Sequence, residues 1–119
     1  MNKYLKKRAA SFGHAFRGVA ELLHGTPNAV IHVVLALVAV ALGFYFRIDA
    51  GEWLAIVIVI GLVLALEAVN TAIEGLADMI SREHNENIKR IKDVAAGAVL
   101  MAAIAALVVG MIIFLPKIF

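Results

Sequence analysis

Hydrophobic positions in this chain form three long, nearly uncharged runs separated by short polar segments. The first run covers residues 29–46, the second begins at residue 53 and continues as a helix to about residue 80, and the third covers 94–115. About 20 consecutive apolar residues are enough for an α-helix to cross a bilayer. The pattern therefore predicts an all-α membrane protein with three transmembrane helices, folded as a single membrane-embedded domain over residues 1–119.

The segment before these runs, residues 1 to about 23, has a different pattern. Apolar residues recur at helical spacing and cations lie between them. The apolar set is Leu5, Phe12, Phe16, Val19 and Leu23, and the basic set is Lys3, Lys6, Lys7, Arg8 and Arg17. This pattern predicts an N-terminal amphipathic helix on the membrane surface; packing of the same face against the protein itself is an open alternative. Thr26 and Pro27 then supply an N-cap and a first helical residue for the next helix.

Charge is distributed unequally between the two ends of the predicted bundle. Lysine and arginine are concentrated in the N-terminal segment and in the connection 81–93, whereas the turn 47–52 and the C-terminal tail contain one each. By the positive-inside rule, the N-terminus and the 81–93 connection lie in the cytoplasm. The basic residues adjoin apolar segments without an aromatic stacking surface, so no nucleic-acid partner is predicted. The chain has no cysteine, which excludes disulfides and thiolate metal sites.

The second predicted span ends in a row of polar side chains. At about 100° per residue, Glu67, Asn70, Glu74 and Asp78 fall within an arc of roughly 80° on one helix face, here called the polar stripe. Ionisable groups at membrane depth are costly and by default mark a functional site. The alternative for Glu74 and Asp78 is that they form the solvated end of the helix. His32, which interrupts the first apolar run, lies near the start of its span, and this position favours a structural histidine over a ligand.

The depth of the polar stripe indicates the kind of chemistry it serves. Counting about 1.5 Å per residue from Trp53, Glu67 lies roughly 21 Å across the membrane and Glu74 roughly 31 Å. Glu74 and Asp78 are therefore predicted at the cytoplasmic interface, together with Lys92 at the start of the third span. A site in this position meets water-soluble reagents on one side and lipid headgroups on the other. Phosphoryl transfer to a lipid alcohol is one of the few chemistries that needs both.

Each of these side chains has a candidate role in such a reaction. The Mg²⁺ carried by ATP is typically held by one or two carboxylates plus phosphates, which makes Glu74 the candidate metal ligand. Lys92 can neutralise charge on the transferred phosphate, Glu67 can act as general base on the lipid hydroxyl, and Asn70 can orient either group. For each of them an interhelical hydrogen bond or ion pair is the alternative. The sequence has no glycine-rich phosphate-binding loop, so an ATP site must differ from those of soluble folds.

Two segments resemble the small prokaryotic integral-membrane diacylglycerol kinase family: residues 66–78, which read LEAVNTAIEGLAD, and residues 92–100, which read KDVAAGAVL. Residues 92–100 and the C-terminal residues 115–117 are more similar to the undecaprenol kinase branch of this family than to its enterobacterial diacylglycerol kinase branch. The resemblance implies a bacterial inner-membrane kinase that uses Mg²⁺ and ATP, with its active site at the cytoplasmic interface. It also implies a homotrimer whose active sites are shared between neighbouring subunits.

The resemblance extends to individual site residues. It implies general-base catalysis by Glu67 and metal binding by Glu74. Further positions that match residues lining the family's site are Asn70, Asp78, Glu83, Lys92 and Asp93.

The chain departs from the family pattern at the junction before the first span. The family usually places a second metal-binding glutamate there, whereas this chain has Thr26, and Val30 stands where an arginine is often found. Asn28, Glu21 or water is the candidate replacement ligand, and magnesium is then expected to bind more weakly. Lost activity or a changed substrate is the other interpretation of this departure.

An oligomer is also expected on physical grounds. Three helices are expected to expose part of Glu67 to lipid, which would cost several kcal/mol, so a partner subunit is expected to cover it. Small residues at 95–98 and within 102–106 allow close helix contact.

Taken together, these features predict ATP-dependent phosphorylation of a membrane lipid alcohol, most specifically undecaprenol to undecaprenyl phosphate. Diacylglycerol is the alternative acceptor. A small proton-coupled transporter or channel subunit that uses Glu67 is the rival class, although small multidrug exporters of this length use four spans. A purely structural membrane protein leaves the polar stripe unexplained.

Overall fold

The computed structural model describes residues 2–119, and this part of the chain folds into four α-helices. They are α1 (Lys3–Gly25), α2 (Pro27–Phe46), α3 (Ala50–Ile80) and α4 (Glu86–Ile118). The last three are each long and apolar enough to cross a membrane. A helix satisfies its backbone hydrogen bonds internally, which is the condition for crossing hydrocarbon. The prediction of an all-helical protein with three candidate spans is therefore confirmed.

Short polar segments between the helices provide the local signals that start and stop them. Pro27 occupies the first turn of α2 with Thr26 at the N-cap position, although the Thr26 side chain makes no capping hydrogen bond. Asp49 and Glu52 form a reciprocal capping box at the start of α3, with hydrogen bonds of 2.9 and 3.1 Å. Between these helices, Arg47 adopts a left-handed conformation with φ 53°, which reverses the chain within a few residues.

Helix α4 begins earlier than the hydrophobic pattern indicates. The connection 81–93 was predicted to be a charged link before a span starting at residue 94, but only residues 81–85 lie outside the helices. Asn85 caps the helix by accepting hydrogen bonds from the backbone N–H groups of Asn87 and Ile88 at 2.9 and 3.3 Å. Hydropathy marks the membrane-crossing part of a helix but not its aqueous end, so α4 extends about two turns beyond its apolar run.

The helices pack unequally against one another. The most extensive contact lies between α3 and α4, α2 packs mainly on α3, and α2 barely touches α4. A small core of Ile48, Ile56, Ile113 and Phe114 closes the end of the bundle next to the α2–α3 turn. The polar stripe lies toward the opposite end of α3, and the gap between α2 and α4 leaves a cleft along the bundle.

The closed end is held by one close approach. Gly43 of α2 faces the indole of Trp53, and a Cβ at residue 43 would lie 2.6 Å from Trp53 Cη2. A larger residue here would force the indole or the helix to shift, because real Cβ atoms do not approach another carbon that closely. On the same end, Lys117 Nζ donates to Glu52 Oε2 at 2.7 Å and links the end of α4 to the start of α3.

Candidate active site

The polar stripe runs along α3 from a buried end to an exposed end. Glu67 is 2% exposed and Asn70 is 8% exposed, which makes them the buried polar residues of the described chain. One turn further along the same face, Glu74 is exposed, and Asp78 is half-buried. Glu67 and Glu74 are seven residues apart and so point in nearly the same direction. One continuous helix face thus presents a carboxylate inside the protein and another at its surface.

The buried carboxylate of Glu67 faces a histidine on the neighbouring helix. His32 Nε2 of α2 lies 3.6 Å from Glu67 Oε2, and the imidazole is 18% exposed. The position of His32 favoured a structural role, and the structure brings it against the stripe's most buried acid. The contact between His32 and Glu67 could have been predicted from the sequence. His32 lies about 21 Å from the α2–α3 turn and Glu67 about 26 Å, so the two residues are at similar depth on adjacent antiparallel helices.

Asn70 connects the buried and exposed ends of the stripe. Its Nδ2 donates to Glu74 Oε1 at 3.2 Å, which holds the Glu74 side chain along the helix. Its Oδ1 is buried and has no hydrogen-bond partner within residues 2–119. A buried acceptor without a partner is uncommon in folded proteins. The pair therefore combines an exposed carboxylate with a buried amide oxygen that has no hydrogen-bond partner among the described residues.

These two residues fit the requirements of a nucleotide-bound magnesium ion. Mg²⁺ prefers oxygen ligands and commonly takes only one or two protein carboxylates, the rest being phosphates and water. Residues 2–119 contain no group of three or more acidic or histidine side chains that could hold a metal ion by themselves. Glu74, with Asn70 beside it, matches the smaller ligand set that a nucleotide-carried ion needs.

Lys92 joins α4 to the stripe. Its Nζ donates to Asp78 Oδ1 at 2.6 Å, and both side chains are about one-third exposed, at 35% and 37%. Asp78 lies one turn beyond Glu74 on α3, so the Lys92 ammonium stands at the same end of the bundle as the exposed carboxylate. The contact places a cation at the end of the stripe that carries the exposed carboxylate of Glu74.

The other two predicted site residues, Asp93 and Glu83, have hydrogen-bond partners outside the stripe. Asp93 pairs with Lys89 on the exposed surface of α4 at 2.7 Å. Glu83 lies in the α3–α4 connection, where its backbone N–H donates to Ser81 Oγ at 3.2 Å and its side chain is exposed. Within the described chain, neither carboxylate is hydrogen-bonded to a stripe residue.

The candidate replacement ligands lie at or near the α1–α2 junction. Thr26 is partly buried at the α1–α2 junction, and its carbonyl accepts a hydrogen bond from the Ala29 N–H at 3.1 Å. Glu21 and Asn28 have exposed side chains. Among residues 2–119 no hydrogen bond connects these side chains to Glu74.

The expected exposure of Glu67 to lipid is wrong. A single chain leaves this side chain only 2% exposed. Small residues explain the close packing, because Ala95 and Ala102 of α4 are buried and lack the bulk that would hold α3 and α4 apart. Covering Glu67 is therefore no reason to invoke a partner subunit.

Comparison with known proteins identifies the family to which this arrangement belongs. Residues 13–114 match the family described as prokaryotic diacylglycerol kinase. The chain belongs to this family. Among its relatives, an undecaprenol kinase from Bacillus subtilis is 38% identical over 98% of this chain and 92% of its own length.

Two diacylglycerol kinases are also similar to this family member. The protein from Synechocystis is 35% identical over 89% of this chain and 61% of its own length. The protein from Escherichia coli K12 is 35% identical over 63% of this chain and 62% of its own length. The chain thus matches about three fifths of the length of these two relatives and nearly all of the Bacillus relative.

Family membership establishes the class of enzyme. The chain is a multi-pass membrane protein and a lipid kinase, with ATP as a substrate of the family's reaction. The kinase prediction is therefore confirmed over the transporter alternative.

Proposed function

We propose that this lipid kinase transfers the γ-phosphoryl group of Mg-ATP to the hydroxyl of undecaprenol, with diacylglycerol as the alternative acceptor. The observation that carries the proposal is the polar stripe, because one helix face holds a buried carboxylate at Glu67 and a solvent-exposed carboxylate at Glu74. A lipid hydroxyl and a nucleotide phosphate need these two environments. The choice of undecaprenol is supported by the similarity to the Bacillus undecaprenol kinase over nearly the full length of both chains.

Glu67 is proposed as the general base. The lipid oxygen attacks the γ-phosphorus, the bond from that phosphorus to the β-phosphate oxygen breaks, and the hydroxyl proton passes to the Glu67 carboxylate. The position of Glu67 within the membrane-crossing helix α3 supports this assignment, since the acceptor hydroxyl approaches from the bilayer.

The exposed end of the stripe is proposed to hold the nucleotide. Glu74 would hold Mg²⁺, and Asn70 orients Glu74 through its 3.2 Å hydrogen bond. When bound, the metal neutralises phosphate charge and keeps the phosphates in place. Lys92 adds a cation to the same region, where its pairing with Asp78 directs the ammonium. Roles for Glu83 and Asp93 in nucleotide binding are proposed from the resemblance alone.

The proposed orientation places this end of the bundle in the cytoplasm. The N-terminus and residues 81–93 then lie inside, in agreement with their lysine and arginine content. Helix α1 is proposed to lie on the inner membrane surface as an amphipathic helix. Phe12 and Phe16 support this, since their side chains are 67% and 73% exposed and would otherwise face water. The whole chain is proposed to act as one membrane-embedded kinase domain.

A homotrimer with shared active sites is also proposed. Helix α3 carries an exposed row of small residues at alternating spacings of four and three: Gly61, Ala65, Ala68, Ala72 and Gly75. Rows of this kind let membrane helices approach closely. Glu74 is exposed in the single chain, so a neighbouring subunit has room to complete the nucleotide site. The number of three subunits follows from the family resemblance.

The deciding experiment measures transfer of labelled γ-phosphate from ATP to lipid in mixed micelles. Purified protein is assayed with undecaprenol and with diacylglycerol at equal mole fraction. Labelled undecaprenyl phosphate as the faster product is expected. Faster labelling of diacylglycerol would instead support the alternative acceptor, and absence of any labelled lipid would overturn the proposed reaction.

A further inference from the structure

An apolar cleft of about 370 Å³ lies between α2, α3 and α4. Its walls include Leu35 of α2, Ile60 and Val63 of α3, and Ala103 of α4. Among the described residues that line the cleft, His32 is the polar one. The cleft extends from His32 toward the α2–α3 turn, and therefore away from the exposed end of the polar stripe.

His32 thus lies between the apolar cleft and Glu67. One side of the imidazole contributes to the cleft wall, and its Nε2 lies 3.6 Å from Glu67 Oε2. Val63, also in the cleft wall, lies about one turn before Glu67 on α3. The polar end of the cleft, at His32, therefore adjoins the carboxylate that the proposed function assigns as general base.

The two atoms of this contact lie just beyond hydrogen-bond distance. At 3.6 Å the two atoms are farther apart than in a formed hydrogen bond, which has a typical N···O distance of about 2.7–3.2 Å. Catalytic hydrogen bonds are often long in the free enzyme and tighten when substrate binds. A general base is commonly oriented by a third group in this way. A leucine would fill the same wall without placing a costly polar ring in apolar surroundings.

We infer that His32 is a positioning residue, which directs the Glu67 carboxylate toward the hydroxyl of a lipid alcohol whose apolar chain lies in the cleft. This inference rests on the proposed function, since it deepens the role of Glu67. When the lipid alcohol binds, the imidazole N–H is to donate to the nearer carboxylate oxygen, Oε2, and the other carboxylate oxygen is to accept the hydroxyl proton. His32 itself forms no bond to the transferred phosphoryl group.

The first test compares three variants in the undecaprenol assay. His32→Leu removes the N–H but keeps an apolar wall, and we expect kcat to fall about 10–100-fold while KM for Mg-ATP stays unchanged. His32→Gln restores a donor at similar reach, and we expect it to recover much of the lost kcat. His14→Leu is the matched control, because His14 is exposed on α1, and it is expected to leave kcat unchanged. Undiminished kcat in His32→Leu, or equal loss in the Leu and Gln variants, would overturn the inference.

A double-variant cycle tests whether His32 acts through Glu67. If it does, adding His32→Leu to Glu67→Gln changes the residual rate less than about twofold, because the group being oriented has already been lost. If the loss of rate in the double variant equals the product of the losses in the two single variants, His32 acts independently of Glu67, and the positioning role is refuted.

A spectroscopic measurement covers the case in which His32→Leu does not fold. The imidazole ¹⁵N shifts of His32 are recorded in the wild-type protein and in Glu67→Gln, with the His14 signals as reference. A change confined to His32 supports the contact, and unchanged His32 shifts overturn it. This readout needs no turnover. Failure of the wild-type protein to phosphorylate any lipid would refute the proposed reaction. Wild-type turnover together with His32 ¹⁵N shifts that do not change in Glu67→Gln would refute only the positioning role.

Discussion

Lys92 of α4 and Asp78 of α3 form an ion pair of 2.6 Å that joins the two helices at the exposed end of the polar stripe. Both groups are about one-third exposed, and pairs of this kind contribute only about 0.2–1 kcal/mol to stability. The pair therefore matters more for where it holds the ammonium than for the free energy of folding. It directs a cation to the region in which Glu74 is proposed to hold the nucleotide's metal.

Removal of the Lys92 charge separates these two effects. Lys92→Gln is expected to lower kcat about 10²–10³-fold, as loss of a preorganised charge-stabilising group commonly does. The free energy of unfolding should fall by no more than about 1 kcal/mol. Lys117→Gln is the matched control, since Lys117 pairs with Glu52 at 2.7 Å at the other end of the bundle. A Lys92→Gln enzyme with the turnover of the Lys117→Gln enzyme would contradict the assignment.

Neutralisation of the buried carboxylate tests the general base. Glu67→Gln keeps the side chain's size and removes its ability to take a proton, so kcat is expected to fall about 10²–10⁴-fold. The protein should still assemble, because the substitution leaves no buried charge without compensation. Labelled-phosphate transfer and size-exclusion elution are measured together. Wild-type turnover in a correctly assembled Glu67→Gln protein would remove Glu67 from the mechanism.

Substitution of Glu74, but not of Glu67, is expected to change the Mg²⁺ concentration that the enzyme needs for half-maximal rate. Glu74→Gln is expected to remove most turnover, and the residual activity should require a higher Mg²⁺ concentration for half-maximal rate, because a carboxylate ligand has been lost. Glu67→Gln serves as the comparison and should leave this midpoint unchanged. An unshifted magnesium midpoint in Glu74→Gln would show that the metal ligand lies elsewhere.

Because Thr26 stands where the family usually has a glutamate, restoring that glutamate is expected to strengthen magnesium binding. Thr26→Glu introduces the carboxylate that the family usually carries at this junction, and the Mg²⁺ concentration for half-maximal rate is expected to fall. Ser11→Glu adds the same charge on the exposed surface of α1 and controls for general attraction of cations. An equal shift in both variants would indicate a surface-charge effect, and an already low requirement in the wild-type protein would argue against weakened binding.

The closed end of the bundle predicts a stability effect that is independent of the active site. Gly43→Ala forces a Cβ to within 2.6 Å of Trp53 Cη2, and overpacking of this kind costs about 1–3 kcal/mol. Gly13→Ala is the control, since nothing lies within 4 Å of its added Cβ, and removal of a helical glycine there should be neutral or slightly stabilising. Thermal unfolding in detergent measures both. Equal transition temperatures would contradict the packing at Gly43.

The sequence by itself determined the features that depend on local order along the chain. Three apolar runs predicted the three candidate spans, and helical periodicity placed Glu67 and Glu74 on one face of α3. The motifs around Glu67 and Lys92 indicated the family that the comparisons then established. Each of these inferences needs only residue type and spacing within a single helix.

Only the tertiary structure decided which helices meet the stripe, and with which side chains. It placed His32 against Glu67, paired Lys92 with Asp78, and turned Asp93 toward Lys89. It also buried Glu67 within one chain, contrary to expectation. The physical reason is that a helix's own periodicity leaves its rotation and its distance from its neighbours free. Those two quantities are set by close packing of side chains from separate helices, down to the small residues that let α3 and α4 approach.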